Sequence, residues 1–497
     1  MEEKPRMLFW LNGFFLHYSL SYYLQSRLDA DFFGIVDINT KPKKFLQNQN
    51  LVNFEKLWFF HDNIKKNQKP DLDYLRTFEK KYGLNLWKYA LNERFFYLHN
   101  RFYKFQKIEI LSILEQEIKL FELILDEIKP DYFLTYDPVF HHQKLLLDLC
   151  RKKGIKVLST IIATGIKNKT IIVEDGATYD LTSNIILEKS VKGEKSNIEN
   201  KESYDKIHHS YIQSRNTNFS NKLIALKNYL LDFDSELINS NFMYYGKSKL
   251  KVVKDALTFE LRRRINYQDL QKVSNSLPDL NLPYVYFPMS IDEEMNTLHY
   301  APYYTNQIEV IRNIAQSIPI NYVLYVKEHV AAGIRKWHDM DYYNQIIDIP
   351  NVILINPLVD NDLLVKNSKL VITTRGYSTL KALKHCIPSI VFGKQPAQIM
   401  PSIFHVDSLT SLPNLIKDAL RHKVDSTEYQ KYEDLLDDRL FEFNMFEYEI
   451  RRDTSLYSGN ILSNTDISNN GMTNFLDLNK DMFENMVSAH LKIINKI

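Results

Sequence analysis

Two short runs constrain this chain more than anything else in it: Tyr-Val-Leu-Tyr-Val-Lys-Glu-His at 322–329 and Leu-Val-Ile-Thr-Thr-Arg-Gly-Tyr-Ser-Thr at 370–379. Each is apolar and β-branched and then stops abruptly in polar or glycine residues, the pattern of a parallel strand buried on both faces. Open α/β sheets bind ligands just beyond the carboxyl ends of such strands. Further runs at 283–288, 352–355 and 389–392, with helical patterns at 303–317, 360–367 and 378–385 between them, predict a doubly wound parallel sheet over 279–440.

The first half repeats the theme. A strand at 7–11 ends in Asn12-Gly13 and leads into a helix through Leu16, Leu20 and Leu24, and a second strand covers 31–38. After an aromatic, lysine-rich insertion at about 41–105, a helix at 108–128 closes at Lys129-Pro130. Strand 131–135, helix 139–153 ended by Gly154, and strand 155–160 form a βαβ run, and 170–173 adds a strand that stops in Glu174-Asp175-Gly176. These patterns give an N-terminal Rossmann-like domain at 1–185, a polar helical connector at 186–278, the second sheet domain, and a helical tail at 441–497.

Composition narrows the function. A chain of 497 residues is too long for one ordinary core. Its 63 basic and 61 acidic side chains nearly cancel, which argues against nucleic acid as a partner. Cys150 and Cys386 lie in apolar segments and read as two buried thiols in a reducing compartment. The start of the chain does not read as a signal peptide, and no apolar run approaches transmembrane length, so a cytoplasmic location is expected. The ring-rich stretches 57–60 and 94–103 read first as core packing, with peripheral contact at the inner face of a membrane as the alternative.

Several residues carry chemistry. Gly376 allows a tight turn after the 370–374 run, Ser378 falls where a helix N-cap belongs, and Thr379 follows, a geometry that suits a phosphate. Lys327, Glu328 and His329 end a strand taken to lie beside it, and Arg335, just past Gly333, is a second cation within reach. Glu174 and Asp175 suit a general base, although acids before glycine are also common turn chemistry. His141 and His142 begin a helix, but with no cysteine or acid at ligand spacing they do not read as a metal site.

In this order the motifs resemble the capsule polysaccharide biosynthesis family, GT-B type glycosyltransferases that include bacterial capsule Kdo transferases. The resemblance runs from about 283 to 394. It is carried by Tyr284-Val-Tyr-Phe-Pro288, Glu294, Thr297, Leu324-Tyr-Val-Lys-Glu-His329, Gly333 with Arg335, Tyr342-Tyr343, and Gly376 through Ala382-Leu383 to Phe392-Gly393. It implies two Rossmann-like domains facing a cleft, a nucleotide-sugar donor, a glycan or glycolipid acceptor, and no metal or other cofactor. His329 would contact the donor phosphate; Ser378, Thr379, Arg375 and Gly376 would line its pocket, supported by Lys327, Glu328, Glu294 and Arg335. Glu174-Asp175-Gly176 is similar to the acidic motif that related bacterial sialic-acid polymerising enzymes use as the base. The chain departs from the family at Val330, where proline is usual, at Met289-Ser290, where a histidine is common, and at Lys381, where an acid is expected. Polyol-phosphate transfer, nucleotide-sugar epimerisation and non-catalytic glycan binding are the alternatives these departures leave open.

Overall fold

The computed structural model describes residues 4–163, 168–174, 227, 241–333, 337–437, 439–457 and 464–495. The chain divides into two compact units. The first holds the described residues up to Glu174, Lys227, 241–253 and those from 439 onward; the second holds 254–437.

The first unit is built on β1 (Arg6–Asn12), β2 (Asp31–Asp37), β3 (Lys56–Phe59), β4 (Tyr132–Tyr136), β5 (Lys156–Ile162) and β6 (Lys169–Glu174). The sheet runs β3-β2-β1-β4-β5-β6, and the strand Leu440–Glu442 closes the far edge. Strands β1 to β5 are parallel; β6 runs antiparallel to β5, and Leu440–Glu442 antiparallel to β6. Because side chains alternate along β1, Met7, Phe9 and Leu11 face one core while Leu8 and Trp10 face another. The second of these cores is covered by the helices Lys107–Ile128 and His141–Lys152. Lys129 and Gly154, both left-handed, turn the chain out of these two helices and into the next strand.

Residues 441–497, expected as a separate tail, are largely helical among the described residues but belong to the first core. Phe475, Phe483, Met486 and Val487 pack with Phe9, Leu11 and Leu20. The insertion is likewise more ordered than its composition suggests. It contributes the edge strand β3 and the helices Leu72–Tyr82 and Leu86–Leu91. Trp58, Phe60 and Phe96 are buried in it, whereas Tyr97 and Leu98 are exposed.

The second unit contains β7 (Tyr284–Pro288), β8 (Val323–Lys327), β9 (Val352–Ile355), β10 (Leu370–Thr373), β11 (Ser389–Val391) and β12 (Ile403–His405). Their order is β12-β11-β10-β7-β8-β9, all parallel. This is the doubly wound arrangement, with the strand order reversing between β7 and β10. Both faces are covered, which explains the uninterrupted apolar runs. Tyr284, Tyr286 and Tyr325 sit inside because each hydroxyl donates, to Leu364 O, Asn361 Oδ1 and Asp279 O at 2.6, 2.6 and 2.7 Å.

Cys150 is buried, but Cys386 is exposed, in a left-handed turn just after the helix Ser378–Lys384, so the expectation of two buried thiols fails for it. No helix among the described residues is long and apolar enough to cross a membrane.

Candidate functional site

In each unit the strand order reverses beside the first strand, and the carboxyl edge at such a reversal is where open α/β sheets bind ligands. In the second unit that edge gathers most of the residues singled out from sequence. Ser290, two residues past β7, lies 2.6 Å through its Oγ from Thr374 Oγ1, at the end of β10. The buried Gln307 holds Ser290 from both sides, accepting from its amide and donating to its carbonyl, each at 2.7 Å. Arg375 donates through Nη1 to Asn296 Oδ1 at 2.6 Å, and its guanidinium lies 3.7 Å from the centre of the Tyr300 ring. Asn296 is in the short helix Met295–Leu298 that Glu294 begins, so Glu294 and Arg375 join one substructure.

The turn after β10 is braced rather than open. Thr379 Oγ1 donates to Gly376 O at 3.0 Å, and Gln395 donates to Thr379 Oγ1 at 2.9 Å while accepting from the Gly376 amide at 3.3 Å. The N-cap is Tyr377, without a side-chain cap, and Ser378 is the first helical residue rather than the cap expected of it.

Strand β8 is not beside β10 as expected; β7 lies between them. Lys327, Glu328 and His329 therefore reach the crevice from the other side of Ser290. Lys327 Nζ donates to Val359 O at 2.6 Å, tying down the loop after β9. His329 Nδ1 accepts from the Ala331 amide at 3.1 Å, so a neutral imidazole carries its proton on Nε2, the form that donates to an anion.

Glu328 and two residues not found from sequence, Asp292 and His338, form an acid–imidazole–acid array. His338 Nδ1 is 2.6 Å from Glu328 Oε2, and His338 Nε2 is 2.9 Å from Asp292 Oδ2. Burial alone would lower the His338 pKa, but Glu328 and Asp292 outweigh it and push it up to about 10. Tyr343 donates to the same Glu328 oxygen at 3.1 Å, the other Glu328 oxygen accepts from the His329 amide at 2.8 Å, and Tyr342 stacks on His338 at 3.8 Å. The array thus fixes the backbone that presents His329.

The carboxyl edge of the first unit is polar too. Asn12, at the end of β1, donates to the Tyr136 hydroxyl at 2.7 Å. Asp37, at the end of β2, lies 2.9 Å from His61 Nε2 and 3.4 Å from His142 Nε2. Burial works against the Asp37 charge, yet His142 and His61 hold its pKa well below the usual carboxylate range. His141 sits between Glu93 and Glu117; burial would lower its pKa, but Glu117 and then Glu93 push it up to about 10.

Glu174 is not part of this edge. As β6 is antiparallel, Glu174 pairs with Leu158 near the start of β5, at the amino edge, where it lies 2.8 Å from Lys156 Nζ. Asp175 and Arg335 lie outside the described residues.

No family model matches the chain, and no curated protein matches it. Among solved structures, the UDP-GlcNAc 2-epimerase from Methanocaldococcus jannaschii is 14% identical, with 87% of this chain and 99% of that chain covered at a TM-score of 0.24. A β-Kdo 2,7-transferase, KpsC from Thermosulfurimonas dismutans, is 12% identical over 63% of this chain and 79% of its own, at 0.31. The UDP-GlcNAc 2-epimerase from Neisseria meningitidis is 11% identical over 87% and 98%, at 0.26. Likenesses this loose leave the function to be argued from the chain's own residues.

Proposed function

We propose that the chain is a glycosyltransferase that takes a sugar from a nucleotide-activated donor and gives it to a surface or capsular glycan or glycolipid. The observation that supports this reading is the collection of anion-compatible groups where the second sheet reverses: Ser290, Thr374, Arg375 and the Nε2 donor of His329. A leaving nucleotide phosphate held there has its growing charge met by donors fixed in advance, which is the largest contribution an enzyme of this kind makes. Lys327 and Glu328 act by holding the loops. Glu174, one of the two acids expected to activate the acceptor hydroxyl, lies at the amino edge beside Lys156 and gives this reading no support.

The test is a thermal-shift series with UDP, CDP and CMP on the full chain and on His329→Ala. One nucleotide should raise the midpoint of the wild-type chain, and the variant should lose at least tenfold in affinity for it. A series in which no nucleotide shifts the midpoint would remove the reading.

One observation favours the non-catalytic alternative. Lys381, standing where the family has an acid, is buried, with Nζ 5.3 Å from the centre of the Tyr377 ring. An ammonium there offers no acceptor to the ribose or sugar hydroxyl that an acid would hold, so a chain of this kind would bind a nucleotide and yield no product with any donor.

A further inference from the structure

The first unit contains an imidazole–carboxylate cluster that the donor site does not use. Glu117 comes from the helix Lys107–Ile128, and His141 and His142 open the helix His141–Lys152. One ligand atom from each of the three lies within 4.8 Å of the others, and all three side chains are fully buried. Both Glu117 oxygens face His141 Nε2, at 3.1 and 3.0 Å. The second histidine is different: His142 Nδ1 is buried and has no hydrogen-bond partner among the described residues. A buried ring nitrogen without a partner is costly, and native folds rarely leave one so without a reason.

The outer contacts supply the reason. The remote nitrogen of each ring is held by a carboxylate that is not one of the three: His141 Nδ1 by Glu93 at 2.8 Å, and His142 Nε2 by Asp37 at 3.4 Å. Asp37 is itself held by His61, whose Nδ1 is 3.0 Å from Asn241 Nδ2. Carboxylates behind histidines, fixing tautomer and ring orientation, are what metal-ligating histidines have around them. Phe60, Phe140 and Trp10 pack on His142 at 4.6, 5.6 and 5.7 Å between ring centres.

We infer that Glu117, His141 and His142 bind one divalent transition-metal ion of the zinc class, with Glu93 and Asp37 as the outer carboxylates. Zinc–nitrogen and zinc–oxygen distances of about 2.0–2.2 Å require ligand atoms roughly 3.4 Å apart. A spread of 4.8 Å closes to that with small side-chain rotations. Binding replaces the proton on His141 Nε2, which leaves to solvent, and puts two positive charges beside the Glu117 carboxylate. The ion would join two helices behind the carboxyl edge of the first sheet. Three protein ligands leave the fourth tetrahedral position to a water, and the site is independent of the nucleotide reading.

The test uses the full chain, freed of any affinity tag, dialysed against a chelator and then reloaded with Zn2+ or Co2+. About one equivalent of zinc per chain by elemental analysis, a midpoint that falls on stripping and returns on reloading, and visible d–d absorption with Co2+ are expected. His142→Gln should bind at least tenfold less while keeping the native circular dichroism. Wild-type chain that holds less than a tenth of an equivalent and shows no Co2+ absorption overturns the site. So does a folded His142→Gln that binds like wild type; should that variant not fold, the wild-type Co2+ spectrum decides alone.

Discussion

Substituting Glu328 by Gln removes one of the two charges that hold His338 protonated, and the size of the effect follows from the site. Moving the His338 pKa from 6.5 to about 10 corresponds to about 5 kcal/mol in favour of the imidazolium in the folded state. Two carboxylates supply this; Glu328 is nearer and almost fully buried, at 2.6 Å against 2.9 Å for Asp292. About half of the effect, or ~2–3 kcal/mol, therefore goes with the Glu328 charge. Gln keeps the shape and one acceptor, so the loss reports charge rather than packing. For a unit of this size the midpoint of its thermal transition should fall by about 4–10 °C. Because the folded pKa is raised, the stabilisation is complete below about pH 6.5 and disappears as pH rises through about 10. Urea unfolding of wild type and variant from pH 6 to 10.5, with the His338 ring followed by NMR, measures both. A His338 that titrates near 6.5 in the wild-type chain, or a variant within about 0.5 kcal/mol of it at pH 7, would refute the argument.

Other consequences can be checked with the same preparations. His329→Ala should cost at least about a hundredfold in transferase turnover, with circular dichroism and midpoint unchanged; full activity would take His329 out of the site. Gly246→Ala should destabilise the first unit by more than about 2 kcal/mol, since a Cβ there would lie 2.2 Å from Phe102 O on a backbone with φ of +76°; a midpoint like wild type would contradict the geometry. His17 and His490 are buried and neutral, their pKa values lowered by burial to about 3 and about 4. The unfolded chain takes up those protons below about pH 6.5 and the folded chain does not, so stability should fall by ~2–4 kcal/mol between pH 7 and 5. Equal urea midpoints at the two pH values would show that these rings are not buried neutral.

The strands of both sheets are legible because burial on both faces leaves continuous apolar runs, and the observed ends of β7, β8, β9 and β10 fall within two residues of those expected. What escapes is short or at an edge. Strand β3 is four residues long with a half-exposed face, and β12 and Leu440–Glu442 have three residues each, too few for a period to show. The site divides in the same way. Gly376 and His329 stand out because they end strands, whereas Asp292 and His338 meet across 46 residues and are joined only by the route of the chain around β7 and β8. The first-unit cluster has no acids at ligand spacing on its own helix; the acids beside it come from 24 residues before His141 and 105 before His142. Spacing finds ligands on one helix; it does not find those that strand order assembles.

The nucleotide selected by thermal shift should be soaked into crystals of the chain and its phosphate located. It should lie beyond the carboxyl ends of β7 and β10, within hydrogen-bond reach of His329 Nε2 and the Ser290 hydroxyl. A phosphate bound elsewhere, with these two side chains untouched, would contradict it.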